Sequence, residues 1–411
     1  MKLFAGLFLS AMLLATPVAG LTECKVTGSG EVNVISNSYP SLEVVNGAME
    51  ECAGGELKVN AKMTTEHKEE TNQALAASSS PYDLAQVSNS TIPPLQAAGQ
   101  LQSMNDLVDI YKSEYNIEDA MLISFGGEIQ AIAFQVNCQH LFYRKDLLEK
   151  HNIAVPTTYE EVIAAAAKLK SEESIEFPLG GTYKSGWNLA QEFVNLFLAA
   201  GGEFFQPGSA LPAFNSNQGV ESLELMKKLM GYMSPNALAL DSTAVMQQFQ
   251  QGQIAIANLW ASRAVKMDDE SESTVVGKID FAPAPALVAG GAPATTLWWD
   301  GYVLPKNMDG DRDLAFRVLM EGIKEDVVKA NNDITIWLRS VYQATRFSKG
   351  AYESAKAGAP PYPMKPQIGL VHSAIGSNIG DFLSGKESAQ DSLADAEAAY
   401  LAAAKEKGYV R

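Results

Sequence analysis

The 411-residue chain has few of the residues that build metal centres or nucleophilic catalytic sites. It contains three cysteines and four histidines, without a Cys-x-x-Cys pair or a Cys/His cluster of the kind that binds zinc. It also lacks the Gly-x-Ser-x-Gly elbow of hydrolases, the phosphate-binding loop and the dinucleotide-binding glycine pattern. The sequence therefore predicts no metal site, no cofactor and no catalytic residue.

Basic residues are scarce relative to acidic ones. The chain has 31 lysines and arginines against 48 aspartates and glutamates, which gives a formal net charge of −17. Such a surface repels nucleic acid and anionic lipid, so we expect no polyanionic macromolecule as a partner. The composition is otherwise that of an ordinary globular protein, 46% hydrophobic and 19% charged, and the length suffices for about two to three domains.

The one long apolar run lies at the start of the chain. Lys2 precedes the apolar residues Leu3–Ala15, and Val18–Gly20 supplies small residues for cleavage. This pattern predicts a secretory signal peptide over residues 1–20. The run is shorter than the roughly 20 residues that a membrane-spanning helix needs. We therefore expect the mature protein to be exported and soluble.

The three cysteines have different expected roles. Glu23 precedes Cys24, where a lipoprotein signal has a small residue, so we do not expect a lipid anchor. In an oxidising compartment, Cys24 and Cys52 are predicted to form a disulfide across the first strand–helix unit. Cys138 follows an apolar run and is expected to be a buried free thiol.

The first part of the chain alternates strand and helix patterns. Three β-rich segments, separated by helical patterns, predict an α/β fold with a parallel sheet covered by helices; they are Glu31–Ile35, Glu56–Asn60 and Tyr82–Val87. Ligands bind at the carboxyl ends of the strands in such sheets. Three polar loops are expected at this edge: Ser36–Pro40, Lys62–Glu66 and Ser88–Thr91.

All five tryptophans stand near polar or charged residues rather than in uniformly apolar runs. An indole face beside planar hydrogen-bonding groups suits a sugar, which offers an apolar C–H face and a rim of hydroxyls. The alternative is that each indole is a core side chain whose N–H has found a partner. Both interpretations are open for each of Trp187, Trp260, Trp298, Trp299 and Trp337.

Several segments, in order along the chain, resemble motifs of the extracellular solute-binding proteins of ABC importers, specifically the maltose-binding-like group (family 1). The longest is Leu141–Glu161 (LFYRKDLLEKHNIAVPTTYEE), in which Arg144 replaces the usual Asn and Tyr159 the usual Trp. The others are Tyr82–Ser88, Gln96–Leu101, Leu198–Phe205, Pro212–Ser216, Phe249–Ala257 and Gly385–Leu393.

The resemblance implies a two-lobed periplasmic-binding-protein fold of type II. Each lobe is expected to be a mostly parallel sheet flanked by helices, with the ligand cleft between the lobes. The N-terminal lobe is expected to comprise residues 21–131 plus 281–328, and the C-terminal lobe residues 132–280 plus 329–411. Two or three chain crossings would form the hinge.

The resemblance and the loop topology together give a set of expected ligand-binding residues, in which Trp260 has the position of the family's stacking tryptophan. The set is Asn37, Tyr39, Glu66, Asn89, Ser90, Asn137, Trp187, Asn188, Trp260, Arg263, Trp298, Trp299, Asp300 and Arg339. The pair Asp300-Gly301 stands where the family has two glycines, which leaves the contacts of Trp298 and Trp299 open.

The resemblance further implies a periplasmic, monomeric binding protein without enzymatic activity. It would capture a mono- or oligosaccharide and deliver it to ABC permease subunits in the inner membrane. The alternatives are a polyamine, glycerol phosphate or other small polar solute as ligand, or an exported glycosidase. The expected charged residues of the cleft (Glu66, Arg263, Asp300, Arg339) are balanced in sign, which favours a neutral ligand.

Overall fold

The computed structural model of the protein describes residues 23–173 and 175–411, so the predicted signal peptide lies outside the described residues. The strands are β1 (Gly30–Ser36), β2 (Leu57–Met63), β3 (Leu84–Ser88), β4 (Leu122–Phe125), β5 (Glu128–Asn137), β6 (Gln139–Arg144), β7 (Leu179–Gly180), β8 (Ile256–Trp260), β9 (Ile279–Ala282), β10 (Trp298–Val303) and β11 (Ile336–Trp337).

The helices lie between and after these strands. They are α1 (Pro40–Glu50), α2 (His67–Ala76), α3 (Ile92–Ala97), α4 (Asn105–Tyr111), α5 (Lys145–Lys150), α6 (Tyr159–Glu172), α7 (Trp187–Ala199), α8 (Asn217–Met230), α9 (Ser242–Gln250), α10 (Arg312–Gly322), α11 (Glu325–Ala330), α12 (Arg346–Lys356), α13 (Ile368–Asn378), α14 (Gly380–Leu383) and α15 (Ala389–Glu406). A 3₁₀ segment, Ala261–Asp268, directly follows β8.

Two sheets divide the described chain into two lobes, which confirms the predicted α/β class and two-lobed architecture. The first lobe is built on a seven-stranded sheet of order β11-β5-β10-β3-β1-β2, with β4 paired to β5. The second lobe is built on a four-stranded sheet of order β7-β8-β6-β9. Each sheet has its own large hydrophobic core.

The pairing of the strands is more mixed than the expected mostly parallel sheets. Strand β1 pairs in parallel with β2 and β3, as the alternating strand and helix patterns predict. Strands β5 and β10 pair antiparallel with each other and with their other neighbours, and β6 pairs antiparallel with β8 and β9. The β4–β5 pair is a hairpin within the first lobe, whereas β5, β6, β9 and β10 lie where the chain leaves one lobe or enters the other.

The chain passes between the lobes three times. The crossings are β5 to β6 at Cys138, β9 to β10, and the segment after β11. Because β11 pairs with β5, we propose that the first lobe extends through Trp337, beyond the sequence-based boundary at residue 328.

Local sequence signals explain several element ends. Pro40 occupies the first turn of α1, where its missing N–H costs no helical hydrogen bond. Helix α6 begins with a capping box, in which the Thr158 hydroxyl accepts from the Glu161 N–H and the Glu161 carboxylate accepts from the Thr158 N–H. Ser388 caps α15 through the N–H of Asp391.

The predicted disulfide between Cys24 and Cys52 is confirmed, and Cys138 is a buried free thiol. The disulfide ties the segment before β1 to the residues that follow α1. Among the described residues, none of the helices combines the length and apolarity that crossing a lipid bilayer requires.

Candidate ligand-binding cleft

A cavity of about 390 Å³ opens between the two lobes, and residues from both lobes line it. The first-lobe wall is formed by Asn37, Tyr39, Pro40, His67, Lys68, Gln86, Ser88 and Asp300. The second-lobe wall and the hinge contribute Asn137, Trp187, Ser242, Met246, Trp260, Ser262, Arg263, Lys266 and Trp298. This is the volume class of a small-molecule site placed between two domains.

The carboxyl ends of the parallel strands supply most of the first-lobe wall. Asn37 and Tyr39 follow β1, and His67 and Lys68 open the helix that follows β2. Ser88 ends β3. These positions agree with the rule that ligands gather at the carboxyl edge of a parallel sheet.

Asp300 belongs to the first-lobe wall, and its carboxylate is held by amide and phenol donors. Its two carboxylate oxygens accept from Gln86 Nε2 and Gln135 Nε2, each at 2.8 Å. The Tyr39 hydroxyl hydrogen-bonds the same carboxylate and accepts from Gln135 Nε2 at 3.2 Å. Burial raises the pKa of Asp300, although these donors and the nearby Lys68 charge oppose that shift. The carboxylate is therefore fixed in orientation before any ligand arrives.

Three tryptophans, two from the second lobe and one from the hinge at the start of β10, line one face of the cavity; we call Trp187, Trp260 and Trp298 the aromatic cluster. Their ring centroids lie 5.6 to 6.1 Å apart. Trp187 is 38% exposed and Trp260 half-buried, whereas Trp298 is 7% exposed and its indole N–H donates to Thr296 Oγ1 at 3.0 Å. Trp187 and Trp260 are thus the rings with the most surface free to contact a ligand.

Trp187 owes its position to a close approach between α7 and α13. The N–H of Gly186 donates to the carbonyl of Gly376 at 2.8 Å. A Cβ at position 376 would lie 2.2 Å from the Gly186 carbonyl oxygen, so glycine is required there. Gly186 itself has φ +95°, a conformation that glycine adopts without strain. Trp187 is the first residue of the helix that begins at this contact.

Three cations also line the cavity, of which only Arg263 was predicted. Lys68 of the first lobe places its Nζ 5.5 Å from the ring centroid of Trp187 in the second lobe. Arg263 and Lys266 lie on the 3₁₀ segment after β8, and Lys266 Nζ pairs with Asp269 at 3.2 Å. Burial lowers the pKa of both Lys68 and Arg263. The position of Lys68, two residues past the predicted edge loop, was a signal that the sequence contained.

The structure brings eight of the fourteen predicted site residues into the cavity lining: Asn37, Tyr39, Asn137, Trp187, Trp260, Arg263, Trp298 and Asp300. The other six do not line it: Glu66, Asn89, Ser90, Asn188, Trp299 and Arg339. Glu66 is exposed just before α2, and Asn188 is half-buried in the first turn of α7.

Three of the six make structural contacts instead. Asn89 is buried, donates to the carbonyl of Leu297 at 2.9 Å and accepts from the N–H of Trp299 at 3.2 Å. The Trp299 indole packs against an apolar cluster of the first lobe. The Ser90 hydroxyl hydrogen-bonds the Ser88 hydroxyl at 3.1 Å.

Arg339 is also structural. It is 4% exposed, and its guanidinium donates to the carbonyls of Ile323, Tyr115 and Asn116 at 2.8 to 2.9 Å. These carbonyls belong to first-lobe segments that Arg339 holds together. The guanidinium therefore binds backbone carbonyls inside the first lobe and does not line the cavity.

The described residues contain one cluster of possible metal ligands, formed by Cys24, Cys52 and Glu321. Because the two sulfurs are joined in the disulfide, neither is a thiolate that could ligate a metal ion. The cluster lies outside the cavity lining.

Comparison with known proteins agrees with this architecture. The sequence profile of the family described as bacterial extracellular solute-binding protein matches residues 44–309. A probable ABC transporter-binding protein of Deinococcus radiodurans is 28% identical over 181 residues, which is 42% of this chain and 42% of that protein. The mannitol-binding protein of Pseudomonas aeruginosa is 22% identical over 349 residues, 76% of this chain and 78% of that protein. The chain thus matches less than half the length of the Deinococcus protein.

A solved structure has the same fold. It is an ABC transporter solute-binding protein from Agrobacterium radiobacter K84 in complex with ribitol, with a TM-score of 0.78 and 22% identity, covering 90% of this chain and 97% of that one. The family profile spans more than half of this sequence. The chain therefore belongs to the bacterial extracellular solute-binding proteins.

Proposed function

We propose that this protein is the substrate-binding component of an ABC transporter that captures a mono- or oligosaccharide, or a related sugar alcohol. The observation that carries the proposal is the inter-lobe cavity, which joins exposed indole faces on one wall to a fixed carboxylate on the other. Trp187 and Trp260 would contact the C–H faces of the ligand. Asp300, Asn37 and Ser88 would pair with its hydroxyls.

The cavity is less suited to the alternative functions. Among the described residues that line it, Asp300 is the single carboxylate, whereas a glycosidase uses two carboxyl groups across the scissile bond. A polyamine would need several carboxylates, and this lining has more cations than anions. The relatives that match over most of their length support a polyhydroxylated ligand, because one is named for mannitol and one is bound to ribitol.

Ligand binding would couple closure of the two lobes to transport. Because the cavity walls belong to different lobes, a ligand that contacts both walls stabilises the closed arrangement. In this proposal the closed protein delivers its ligand unaltered to permease subunits in the inner membrane. The protein would act in the periplasm as a monomer, exported through the predicted signal peptide over residues 1–20 and without a lipid anchor.

A ligand screen tests the proposal. The mature protein is mixed with a panel of monosaccharides, disaccharides and sugar alcohols, and its melting temperature and tryptophan fluorescence are recorded. We expect at least one compound to raise the melting temperature with increasing concentration, as binding to the folded state requires. The same compound should change the fluorescence, since three indoles lie at the cavity. A panel that changes neither signal would contradict the carbohydrate assignment.

Trp260→Ala provides a sharper version of this test. Removing the indole should weaken binding of the identified ligand by about 1–3 kcal/mol, the usual range for a lost aromatic stacking contact. Trp299→Phe is the control, because Trp299 is half-buried against a smaller apolar cluster of the first lobe and does not line the cavity. Titration calorimetry on both variants should show the loss for Trp260→Ala alone; equal affinities would remove Trp260 from the site.

A further inference from the structure

The charged groups of the cavity are not balanced in sign. Lys68, Arg263 and Lys266 line it together with one carboxylate, Asp300. His67 also lines it, but burial lowers the pKa of His67 to about 4, so the ring is neutral at neutral pH. The lining therefore carries an excess of positive charge, although the chain as a whole has a net charge of −17.

The single carboxylate is already satisfied within the protein. Both oxygens of Asp300 accept amide hydrogen bonds at 2.8 Å, from Gln86 and Gln135, and the Tyr39 hydroxyl adds a further bond. Asp300 approaches Lys68 closely enough to influence its pKa but forms no ion pair with it among the described residues. Asp300 is therefore not an ion-pair partner of Lys68.

Two of the cations lack an anionic partner in the described chain. Lys68 forms no ion pair among the described residues; its Nζ lies over the Trp187 ring, and the carboxylates of Glu69 and Asp300 act on it only at a distance. The guanidinium of Arg263 contacts the thioether sulfur of Met246, 3.9 Å from Nη1. The charge of Asp241 acts on Arg263, but the Asp241 carboxylate caps α9 and pairs with Lys184 at 3.1 Å. By contrast, Arg144, Arg312, Arg317 and Arg346 each donate to a carboxylate.

A half-buried cation without an anionic partner lowers the stability of the folded protein, because removal from water disfavours the charge. A bound anionic ligand would offset that cost by pairing with the cation. Lys68 belongs to the first lobe and Arg263 to the second, and both border the space that faces Trp187 and Trp260. An anionic group bound by both would therefore also draw the lobes together. Arg263 can bind a carboxylate or phosphate through two parallel N–H donors, and Lys68 as a point charge.

We propose, building on the proposed function, that the preferred ligand is an acidic carbohydrate: a sugar or sugar-alcohol chain that carries a carboxylate or phosphate group bound by Lys68 and Arg263. The carbon chain contacts Trp187 and Trp260, and its hydroxyls donate to Asp300. Lys266, which Asp269 partly neutralises, adds to the positive potential without being required for the contact.

Matched ligands that differ in one group test the proposal. Titration calorimetry compares sorbitol with gluconate and sorbitol 6-phosphate, and glucose with glucuronate and glucose 6-phosphate. We expect an acidic member to bind at least about tenfold more tightly than its neutral partner, since hydrogen bonds to charged groups are the stronger ones. The relative affinities of the two acidic arms identify the group as carboxylate or phosphate.

Charge-removing variants locate the contact. Lys68→Met and Arg263→Met should each lower the affinity for the acidic ligand by about tenfold to a hundredfold while changing that for the neutral partner much less. Lys58→Met is the control, because Lys58 is exposed on β2 and outside the lining. Thermal unfolding without ligand checks that each variant is folded, and Lys68→Gln replaces Lys68→Met if that variant is unstable.

The outcomes separate this inference from the proposed function. A neutral sugar or sugar alcohol that binds as tightly as both acidic partners overturns the inference and leaves the carbohydrate assignment intact. Equal losses for Lys58→Met, Lys68→Met and Arg263→Met also overturn it. If putrescine or spermidine binds and no carbohydrate does, both the inference and the proposed function are wrong.

Discussion

His372 lies behind the aromatic cluster and supports Trp187 from outside the cavity. One ring nitrogen bonds the Tyr362 hydroxyl and the other the Trp187 carbonyl, each at 2.9 Å. Its ring packs 5.0 Å from the Trp187 ring, and burial lowers the pKa of His372 to about 4. Because the ring is neutral, one nitrogen donates and the other accepts. His372 and Trp187 are 185 residues apart in the sequence, so no local sequence pattern predicts this contact.

Glu192 is a second buried polar residue near the cleft, on the inner face of α7. The hydroxyl of Thr182 and the Nε2 of Gln139 both donate to its Oε1. Gln139 in turn accepts from Asn195 at 2.7 Å, and a hydrogen-bonded chain leads on through Thr296 to the indole of Trp298. Burial raises the pKa of Glu192 from 4.5 to about 7. Between these two pH values the folded protein keeps a proton on Glu192 that the unfolded chain releases.

Glu192→Gln should make stability less dependent on pH. The folded pKa lies above the unfolded value of 4.5, so the wild-type protein loses stability as the pH rises from 4.5 through about 7. The loss amounts to roughly 3 kcal/mol at about pH 8. The amide oxygen of the variant can accept the same two hydrogen bonds. Urea unfolding should therefore show the variant to be more stable than wild type by about 2–3 kcal/mol near pH 8, and by under about 1 kcal/mol near pH 5.

Glu203→Gln is the control for this measurement, because Glu203 is exposed. It should change stability by the same small amount at both pH values. If Glu192→Gln were destabilising to an equal extent at both, Glu192 would be ionised in the folded protein and its charge would be paired more strongly than its hydrogen bonds indicate.

The strand β10 shows how an element determines which side chains reach the cleft. Successive residues of a strand point to opposite faces. Trp298 and Asp300 are two residues apart and both line the cavity, whereas Trp299 between them packs against the smaller apolar cluster of the first lobe. Both tryptophans were predicted to lie in the site, and strand alternation was the signal that could have separated them.

Other elements were predicted well where the signal is local. The strands β1 to β3 follow from β-rich residues that are adjacent in the chain. The crossing at Cys138 has no turn signal in the sequence, because the chain passes there from β5 to β6 in another sheet without a turn. Arg339 was misplaced for a similar reason, since its partners, the carbonyls of residues 115, 116 and 323, are distant in sequence.

Arg339→Met should lower stability without affecting ligand binding. The change removes three hydrogen bonds to backbone carbonyls and leaves those acceptors without their donor, which we expect to cost about 2–4 kcal/mol. The free energy of unfolding is measured with urea, and ligand affinity by calorimetry at a temperature where the variant is folded. An affinity loss as large as that of Trp260→Ala would show that Arg339 contributes to the site after all.

At the scale of the whole molecule, two hydrophobic cores are joined by three chain crossings. The first-lobe core includes Cys52 and Met49, and the second-lobe core includes Phe193 and Tyr400. The family motifs in the sequence predicted this two-lobed plan, because they span both lobes. The charge of the cleft could not be predicted in the same way, since it depends on how the wall from α2 meets the wall that follows β8.

The disulfide offers a test of how independent the two lobes are. Cys24 and Cys52 are 28 residues apart and both belong to the first lobe. Closing a loop of this length restrains the unfolded chain and stabilises the fold by about 3–4 kcal/mol. The double variant Cys24→Ser/Cys52→Ser should therefore lower the unfolding temperature of the first lobe, while the second lobe, with its separate core, should melt as in the wild-type protein.

Scanning calorimetry without ligand tests whether the two lobes melt as separate transitions, and a thiol reagent reports when the crossing at Cys138 opens. Cys138 is buried at the crossing between the lobes, and burial raises its pKa to about 12, so we expect labelling only after the structure around it opens. In the double variant Cys138 is the single remaining thiol, and its labelling should begin at the temperature of the first transition. One transition that moves as a whole would show instead that the crossings couple the two cores into one cooperative unit. In that case closure of the cleft by a ligand would stabilise both lobes equally, because neither could unfold while the other remained folded.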